Sequence, residues 1–170
     1  MSKNITLRPV TESDDDFLLA VYASTRAEEM ARVPWTAEQK EEFVRMQFEA
    51  QKRHYAAEYP QASHDLICAD GIPVGRIYID RDSSRLHILD ITVLPQHRNA
   101  GTGSFMLGQL LQEAAESSKP VNIYVENFNP SLRLFKRLGF QVGEENGFQL
   151  LLKWSPKASQ PRIKENREVP

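Results

Sequence analysis

Residues 85–108 read RLHILDITVLPQHRNAGTGSFMLG, and this stretch decides the fold that the sequence predicts. An apolar run typical of a strand ends at Pro95, and a loop with Gly101 and Gly103 leads into a helix with apolar periodicity. Glycine lets the backbone turn tightly and approach a ligand closely. The free N–H groups at a helix N-terminus bind anions. The stretch therefore predicts a strand, a loop and a helix that together bind a phosphate.

The residues beside the two glycines add to this anion site. Arg98 supplies a cation, and the hydroxyls of Thr102 and Ser104 supply hydrogen-bond donors. Two other phosphate-binding loops are disfavoured. The dinucleotide-binding pattern Gly-x-Gly-x-x-Gly requires a glycine where this chain has Met106, and the Walker loop requires a lysine that is missing here. A nucleotide-binding domain is therefore the least favoured of the functions considered.

The composition is that of one soluble domain. The chain has 170 residues, of which 41% are hydrophobic and 26% charged, enough to form a core without disulfides or metal. The single cysteine, Cys68, lies in an apolar run, so we expect a buried strand residue. A formal net charge of -2 offers no general attraction to nucleic acid or to an anionic membrane. A single cysteine supplies no metal cluster, so we expect no metal. With no signal-peptide pattern and no bilayer-spanning apolar run, we expect a cytoplasmic protein.

Hydrophobic patterns predict the order of strands and helices. Thr36 and Gln39 have capping-box spacing at the start of a helix, on which Met46 is expected to face inward. Asp70-Gly71 predicts a hairpin turn, and a final hairpin is expected around residues 144–147. The predicted strands are 5–8, 64–69, 73–80, 85–94, 121–125, 140–142 and 148–154. The order implies an α/β fold with a mixed, mostly antiparallel, twisted sheet of six to seven strands and helices on both faces.

Two motifs resemble those of the GNAT N-acetyltransferase superfamily. The loop from Arg98 to Gly103 resembles its acyl-CoA loop, and VENFNPSLRLFKRLGF at 125–140 resembles the strand, asparagine, helix and Leu-Gly-Phe that follow. The resemblance implies a GNAT-like domain over residues 1–155, and residues 156–170 are expected to form a flexible tail. It implies acetyl transfer from acetyl-CoA to a primary amine of a small molecule or peptide by direct attack. Homodimers are common among such proteins.

The resemblance also implies the residues of the acetyl-CoA site. The strand at 121–125 would diverge from the strand at 85–94 and leave a cleft with unpaired backbone groups. The backbone of Val93 would hold the pantetheine arm, and its N–H would polarise the thioester carbonyl. Asn127 or Asn129 would hold the cofactor arm, although Asn129 equally suits a helix cap. The residues implied at the pyrophosphate are Arg98, Asn99, Gly101, Thr102, Gly103 and Ser104.

Phe135 departs from the family pattern. It stands in the cofactor site where many members carry a tyrosine thought to protonate the leaving thiolate, and phenylalanine donates no proton. Because a thiol has a pKa of about 8.5, release of the thiolate at pH 7 costs only about 2 kcal/mol relative to the thiol. Water can therefore supply the proton. Tyr124 is an alternative donor, or a residue that packs on the sheet. The departure keeps a second function open, a non-catalytic acyl-CoA binding or sensing module.

His87 and Asp90 are the candidate general bases. Strict alternation places His87 and Val93 on one face of the strand and Asp90 and Thr92 on the other. A neutral imidazole is suited to accepting a proton near pH 7. A β-bulge, frequent in this strand of the family, would exchange the facing set and favour Asp90. Purely structural roles for both residues are equally compatible with the sequence.

The acceptor site is implied only in outline. In the family it is formed by the first two helices and the final hairpin. Clustered carboxylates would attract a cationic amine, and Trp35 would flank it, whereas solvated helix surface explains the charges equally well. The sequence names no acceptor. The candidate residues are Glu28, Glu29 and Trp35, with Arg26, Tyr55, Glu144 and Glu145 near them in the implied arrangement.

Overall fold

The computed structural model describes residues 2–156, so the predicted tail lies outside the described residues except for Pro156. Within residues 2–156 the chain forms seven strands and four α-helices. The strands are β1 (Ile5–Pro9), β2 (Ser63–Ala69), β3 (Ile72–Arg81), β4 (Leu86–Val93), β5 (Val121–Glu126), β6 (Gln141–Asn146) and β7 (Gln149–Trp154). The helices are α1 (Asp15–Ala31), α2 (Ala37–Glu58), α3 (Thr102–Glu116) and α4 (Leu132–Arg137).

The strands form one mixed sheet in the order β1-β2-β3-β4-β5-β7-β6. All neighbours are antiparallel except β4 and β5, which are parallel. These two strands pair only from Leu86 opposite Val121 to Ile88 opposite Ile123. Beyond that point β4 continues to Val93 and β5 to Glu126 without pairing with each other. The predicted α/β fold class and mixed sheet are confirmed, and a cleft opens between the two strands.

Helices cover both faces of the sheet. On one face, apolar residues of α3 and α4, including Leu107 and Phe135, pack on the sheet. On the other face, α1 and α2 pack on Leu66 and Cys68 of β2, and Cys68 is buried as predicted. The prediction for Met46 is wrong, because it is 58% exposed. The buried stripe of α2 passes instead through residues one helical turn apart, such as Val44 and Phe48.

Local signals at the ends of elements are mostly confirmed. Gln39 N–H donates to Thr36 Oγ1 and Thr36 N–H donates to Gln39 Oε1, at 3.2 and 3.0 Å, which completes the predicted capping box. Asp70 has a φ of 50° and Gly71 of 81°, so these two residues form the predicted β2–β3 turn. The turn of the final hairpin was predicted too early, since residues 144 and 145 pair with β7 inside the exposed edge strand β6. Charged side chains suit such an edge.

A β-bulge in β4 changes which side chains face α2. Asp90 pairs with Tyr78 and Ile88 pairs with Ile79, so Leu89 is the extra residue. The Leu89 carbonyl accepts a hydrogen bond from the Tyr55 hydroxyl of α2 at 3.2 Å. The bulge places His87 on the same face as Asp90, with Val93 on the opposite face against the α3 core. The strict alternation that grouped His87 with Val93 is therefore wrong.

Candidate active site

The separation of β4 and β5 opens a cleft of about 1980 Å3. It extends from the side of α1 and α2 to the N-terminus of α3. Most of the residues singled out from the sequence line it: Glu28, Glu29, His87, Asp90, Val93, Arg98, Asn99, Gly101, Thr102, Gly103, Ser104, Asn129 and Phe135. Arg26, Tyr55 and Tyr124 line it as well. The fold thus brings together residues that are far apart in the sequence.

Four of the candidate residues named from the sequence do not line this cleft. Trp35 packs edge-on against Phe43, with ring centroids 5.2 Å apart, and remains half exposed. The backbone N–H of Asn127 donates to the carbonyl of Phe148 at 2.7 Å. Glu144 and Glu145 are the other two, on the exposed edge strand β6. The end of the cleft away from α3 is therefore lined by residues of α1, α2 and the central strands, without Trp35, Glu144 and Glu145.

The N-terminus of α3 opens into the cleft. Gly101 is its N-cap, with a φ of 82° that favours glycine, and no side chain caps the helix. A Cβ at Gly101 would have nothing within 4 Å, and one at Gly103 would meet only Leu134, at 3.9 Å. No side chain caps the first N–H groups of the helix, and the residues that carry them line the cleft. Uncapped N–H groups at the start of a 15-residue helix provide an anion-binding site, so the residues fit a pyrophosphate.

The C-terminal end of β4 presents its backbone to the same cleft. Leu94 N–H donates to Val74 O at 2.8 Å on the β3 side. Because backbone groups alternate along a strand, the N–H and C=O of Val93 point to the side of β5, which is unpaired here. Arg98 Nε donates to the Val93 carbonyl at 2.8 Å and holds the guanidinium in the cleft. The backbone N–H of Val93 and the guanidinium of Arg98 thus lie along the same wall of the cleft.

Asp90 is engaged on both carboxylate oxygens. Arg76 Nε donates to Asp90 Oδ2 at 2.6 Å, and Thr92 Oγ1 donates to Oδ1 at 2.9 Å. The same guanidinium donates to Gln51 Oε1 of α2 at 2.7 Å. The Arg76 side chain is only 3% exposed. This network ties the central strands to α2, and it occupies both carboxylate oxygens of Asp90.

His87 is buried at the point where β4 and β5 separate. Its Nδ1 makes a short contact with Asn122 Oδ1 of β5. The rings of Tyr59 and Tyr124 lie 6.0 and 5.8 Å from the imidazole, measured between ring centroids. Burial lowers the pKa of His87, although the Asn122 hydrogen bond opposes this shift. The imidazole is therefore uncharged at neutral pH.

Phe135 lies deep in the α3 side of the core. It is 2% exposed and makes an edge contact with Phe140, with ring centroids 5.2 Å apart. Across the cleft, Tyr124 is 51% exposed. Asn129 Oδ1 accepts a hydrogen bond from the N–H of Ser131 at 2.8 Å, so Asn129 closes the turn before α4 while lining the cleft. This turn precedes α4, which begins at Leu132.

The opposite end of the cleft carries charges from α1. Arg26 pairs with Glu29 at 3.0 Å and donates to the hydroxyl of Tyr22. Burial, and next the charge of Asp90, raise the pKa of Tyr55 to about 12, so its hydroxyl stays protonated. Within residues 2–156 no three side chains of the metal-binding types lie together, and no helix there is long and apolar enough to cross a bilayer.

Sequence reasoning missed two residues of the site. Asn122 and Tyr59 reach His87 through strand pairing and packing beside α2, and no motif marks either residue. The alternation of residues 121–125 places Asn122 on the face opposite the apolar core. That pattern alone could have marked Asn122 as a polar residue facing a site.

Known proteins resemble the chain in sequence and in fold. The profile of the acetyltransferase (GNAT) family matches residues 24–140. A mycothiol acetyltransferase from Actinosynnema mirum is 32% identical over 113 residues, which cover 56% of this chain and 38% of that protein. The chain thus spans well under half the length of this relative.

Two solved structures show the same fold. The PaiA N-acetyltransferase of Thermoplasma acidophilum, in complex with coenzyme A, superimposes with a TM-score of 0.69 at 16% identity, covering 89% of this chain and 99% of that one. Naa50 of Arabidopsis thaliana, in complex with the bisubstrate analogue CoA-Ac-MVNAL, gives 0.62 at 16% identity, covering 89% and 98%. The family profile matches more than half of the chain, so the protein belongs to the acetyltransferase (GNAT) family.

Proposed function

We propose that the protein transfers the acetyl group of acetyl-CoA to a primary amine of a small molecule or peptide. One observation carries the proposal: β4 and β5 separate after three residue pairs, and the cleft between them leads to the uncapped N-terminus of α3. Both solved structures named above contain CoA or a CoA conjugate. The reaction uses a soluble cosubstrate, and we propose that it takes place in the cytoplasm.

The donor site would be formed by the loop and the end of β4. The N–H groups at residues 101–104, with Arg98 and the hydroxyls of Thr102 and Ser104, would bind the pyrophosphate. Acetyl-CoA supplies the acetyl group as an activated thioester. The Val93 N–H faces the cleft and would donate to the thioester oxygen as negative charge develops there. Asn99, Asn129 and Phe135 would complete the walls of this site.

His87 is the better candidate for the general base. Both oxygens of Asp90 already accept hydrogen bonds from Arg76 and Thr92, so the carboxylate is engaged with these side chains rather than with a bound amine. The imidazole of His87 is uncharged at neutral pH and lines the cleft on the same face. We assign His87 to proton removal from the acceptor ammonium, and Asp90 to holding Arg76 in place.

The amine would enter from the α1 side of the cleft. Glu29 is paired with Arg26, whereas Glu28 has no ion pair within the described residues. A carboxylate at this mouth would attract a cationic amine before it loses its proton. We assign Glu28 to this attraction, with Glu29 beside it.

Binding of the donor is tested by Gly103→Asp with Gly108→Asp as the matched control. Neither position crowds an added Cβ, and both lie on α3, but only Gly103 faces the cleft. We expect Gly103→Asp to weaken acetyl-CoA binding by at least about tenfold in calorimetry, because like charges about 4 Å apart repel by several kcal/mol. Gly108→Asp should bind as the wild type does. Absence of binding heat in the wild type, or equal affinity of all three proteins, contradicts the proposed donor site.

A further inference from the structure

We propose that Asn122 is a positioning residue: it holds His87 in the tautomer with hydrogen on Nδ1, so that Nε2 accepts the proton of the acceptor amine. The inference rests on the proposed function of the cleft, in which His87 is the base. It concerns a residue on β5 that no motif singled out.

The register of β4 and β5 brings the two side chains together. His87 and Asn122 form the middle of the three pairs that join these strands. Both side chains project to the face covered by α2, since His87 shares the face of Asp90 and Asn122 alternates with buried residues of the α3 core. The Asn122 amide is thus fixed to the last paired segment before the strands separate. It anchors the imidazole at the apex of the cleft.

The contact between the two side chains defines the tautomer. Asn122 Oδ1 lies against His87 Nδ1. A carbonyl oxygen only accepts, so Nδ1 must donate and carry the hydrogen. In a neutral imidazole the other nitrogen, Nε2, then holds the free lone pair. Because the two nitrogens lie on different sides of the ring, Nε2 is turned away from Asn122.

Two tyrosine rings fix the orientation of the imidazole. Tyr59, the residue directly after α2, lies at 6.0 Å with an interplanar angle of 38°. Tyr124 of β5 lies at 5.8 Å and approaches almost perpendicularly, at 78°. His87 is only 4% exposed between them. With one nitrogen bonded and two rings packed against it, the imidazole has little freedom to flip, and Nε2 keeps one direction.

The proposed step balances in protons and bonds. Nε2 takes one proton from the acceptor ammonium, which leaves a neutral amine and an imidazolium. The amine nitrogen forms a bond to the acetyl carbon while the carbon–sulfur bond breaks. The second proton of that nitrogen passes to the thiolate, so the products are an amide and a free thiol. The imidazolium then returns its proton to water, and one proton is released overall.

The charges around His87 set the expected pH range. Burial lowers the pKa of His87 and the charge of Arg85 adds to this, while Asn122, Asp80 and Asp82 act in the opposite sense. Tyr59 faces the ring from the C-terminal end of α2 and Tyr124 faces it from β5. The acid limb of kcat/KM should therefore lie below pH 6.5, the ordinary value for histidine.

The tautomer is tested without any ligand. Nitrogen-15 NMR of the labelled protein at pH 8 reports which imidazole nitrogen carries hydrogen, and comparison with His87→Gln identifies the His87 signals. We expect hydrogen on Nδ1 in the wild type and a loss of this preference in Asn122→Ala. Hydrogen on Nε2 in the wild type overturns the inference, even if the protein acetylates amines.

The catalytic consequence is tested with Asn122→Asp. A carboxylate in place of the amide stabilises the imidazolium, so the acid limb of kcat/KM should move up by about 1 pH unit or more. Asn146→Asp makes the same change at an exposed position on β6 and should leave the profile unchanged. An unshifted limb in Asn122→Asp overturns the inference. Failure of the wild type to acetylate any amine contradicts the proposed function instead, and the NMR result remains separately readable.

Discussion

Arg76 is the buried cation whose removal tests how the sheet is joined to α2. Its side chain is 3% exposed and donates to Asp90 at 2.6 Å and to Gln51 at 2.7 Å. Arg76→Met keeps most of the packing volume but leaves the Asp90 carboxylate without its cation. Breaking a buried pair in this way costs about 3–5 kcal/mol. Asp90 keeps 24% exposure and the Thr92 hydrogen bond, so we expect a value near the lower end, about 3 kcal/mol.

The measurement is urea unfolding at pH 7 of a double-mutant cycle. Arg76→Met, Asp90→Asn and the double variant are compared with the wild type, and the double variant should lose less than the sum of the single losses. Arg81→Met is the matched control on the same strand, because the Arg81–Glu113 pair is exposed and should contribute about 0.5 kcal/mol. A loss in Arg76→Met no larger than that in Arg81→Met, or strict additivity, refutes this account of the network.

Three further variants probe the central strands and the residues packed on them. Gly75→Ala should lower both the melting temperature and the calorimetric affinity for acetyl-CoA, because its Cβ would lie 2.2 Å from Thr92 O. Tyr55→Phe should lose about 1 kcal/mol in urea unfolding, because the Leu89 carbonyl loses its donor. Burial lowers the pKa of His64 to about 4, so the unfolded chain binds the proton first as the pH falls from 6.5. Stability should therefore fall by about 2 kcal/mol between pH 6.5 and 4, after allowance for solvent screening, and His64→Phe should remove this loss in urea unfolding at both pH values.

Local features of the molecule could be predicted from the sequence. The loop before α3 could be identified because the glycines, the arginine and the helix periodicity stand within a few residues of one another. The capping box at Thr36 and the turn at Asp70-Gly71 also depend on neighbouring residues alone. The order of strands and helices followed from the same patterns. These are the features for which backbone conformation is decided within a short segment.

Features that depend on pairing between distant segments could not be predicted. The family resemblance raised a bulge in β4, but the residue pattern itself gives no sign of it: the bulge at Leu89 is set by the register with β3, and the Leu89 carbonyl accepts a hydrogen bond from Tyr55 of α2. Without the bulge, alternation placed His87 on the wrong face. Asn122 meets His87 only because β4 and β5 are parallel neighbours, although the two residues are 35 positions apart. The homodimer implied by the resemblance stays a prediction.

The central claim is that this cleft transfers an acetyl group from acetyl-CoA to an amine. The most direct measurement is thiol release from acetyl-CoA over a panel of amines, polyamines and peptides, with mass spectrometry of the products. We predict that at least one primary amine gives an N-acetylated product in step with thiol release, and that His87→Gln loses this turnover at neutral pH. Acetyl-CoA binding without turnover on any acceptor would contradict the claim and indicate a non-catalytic acyl-CoA module.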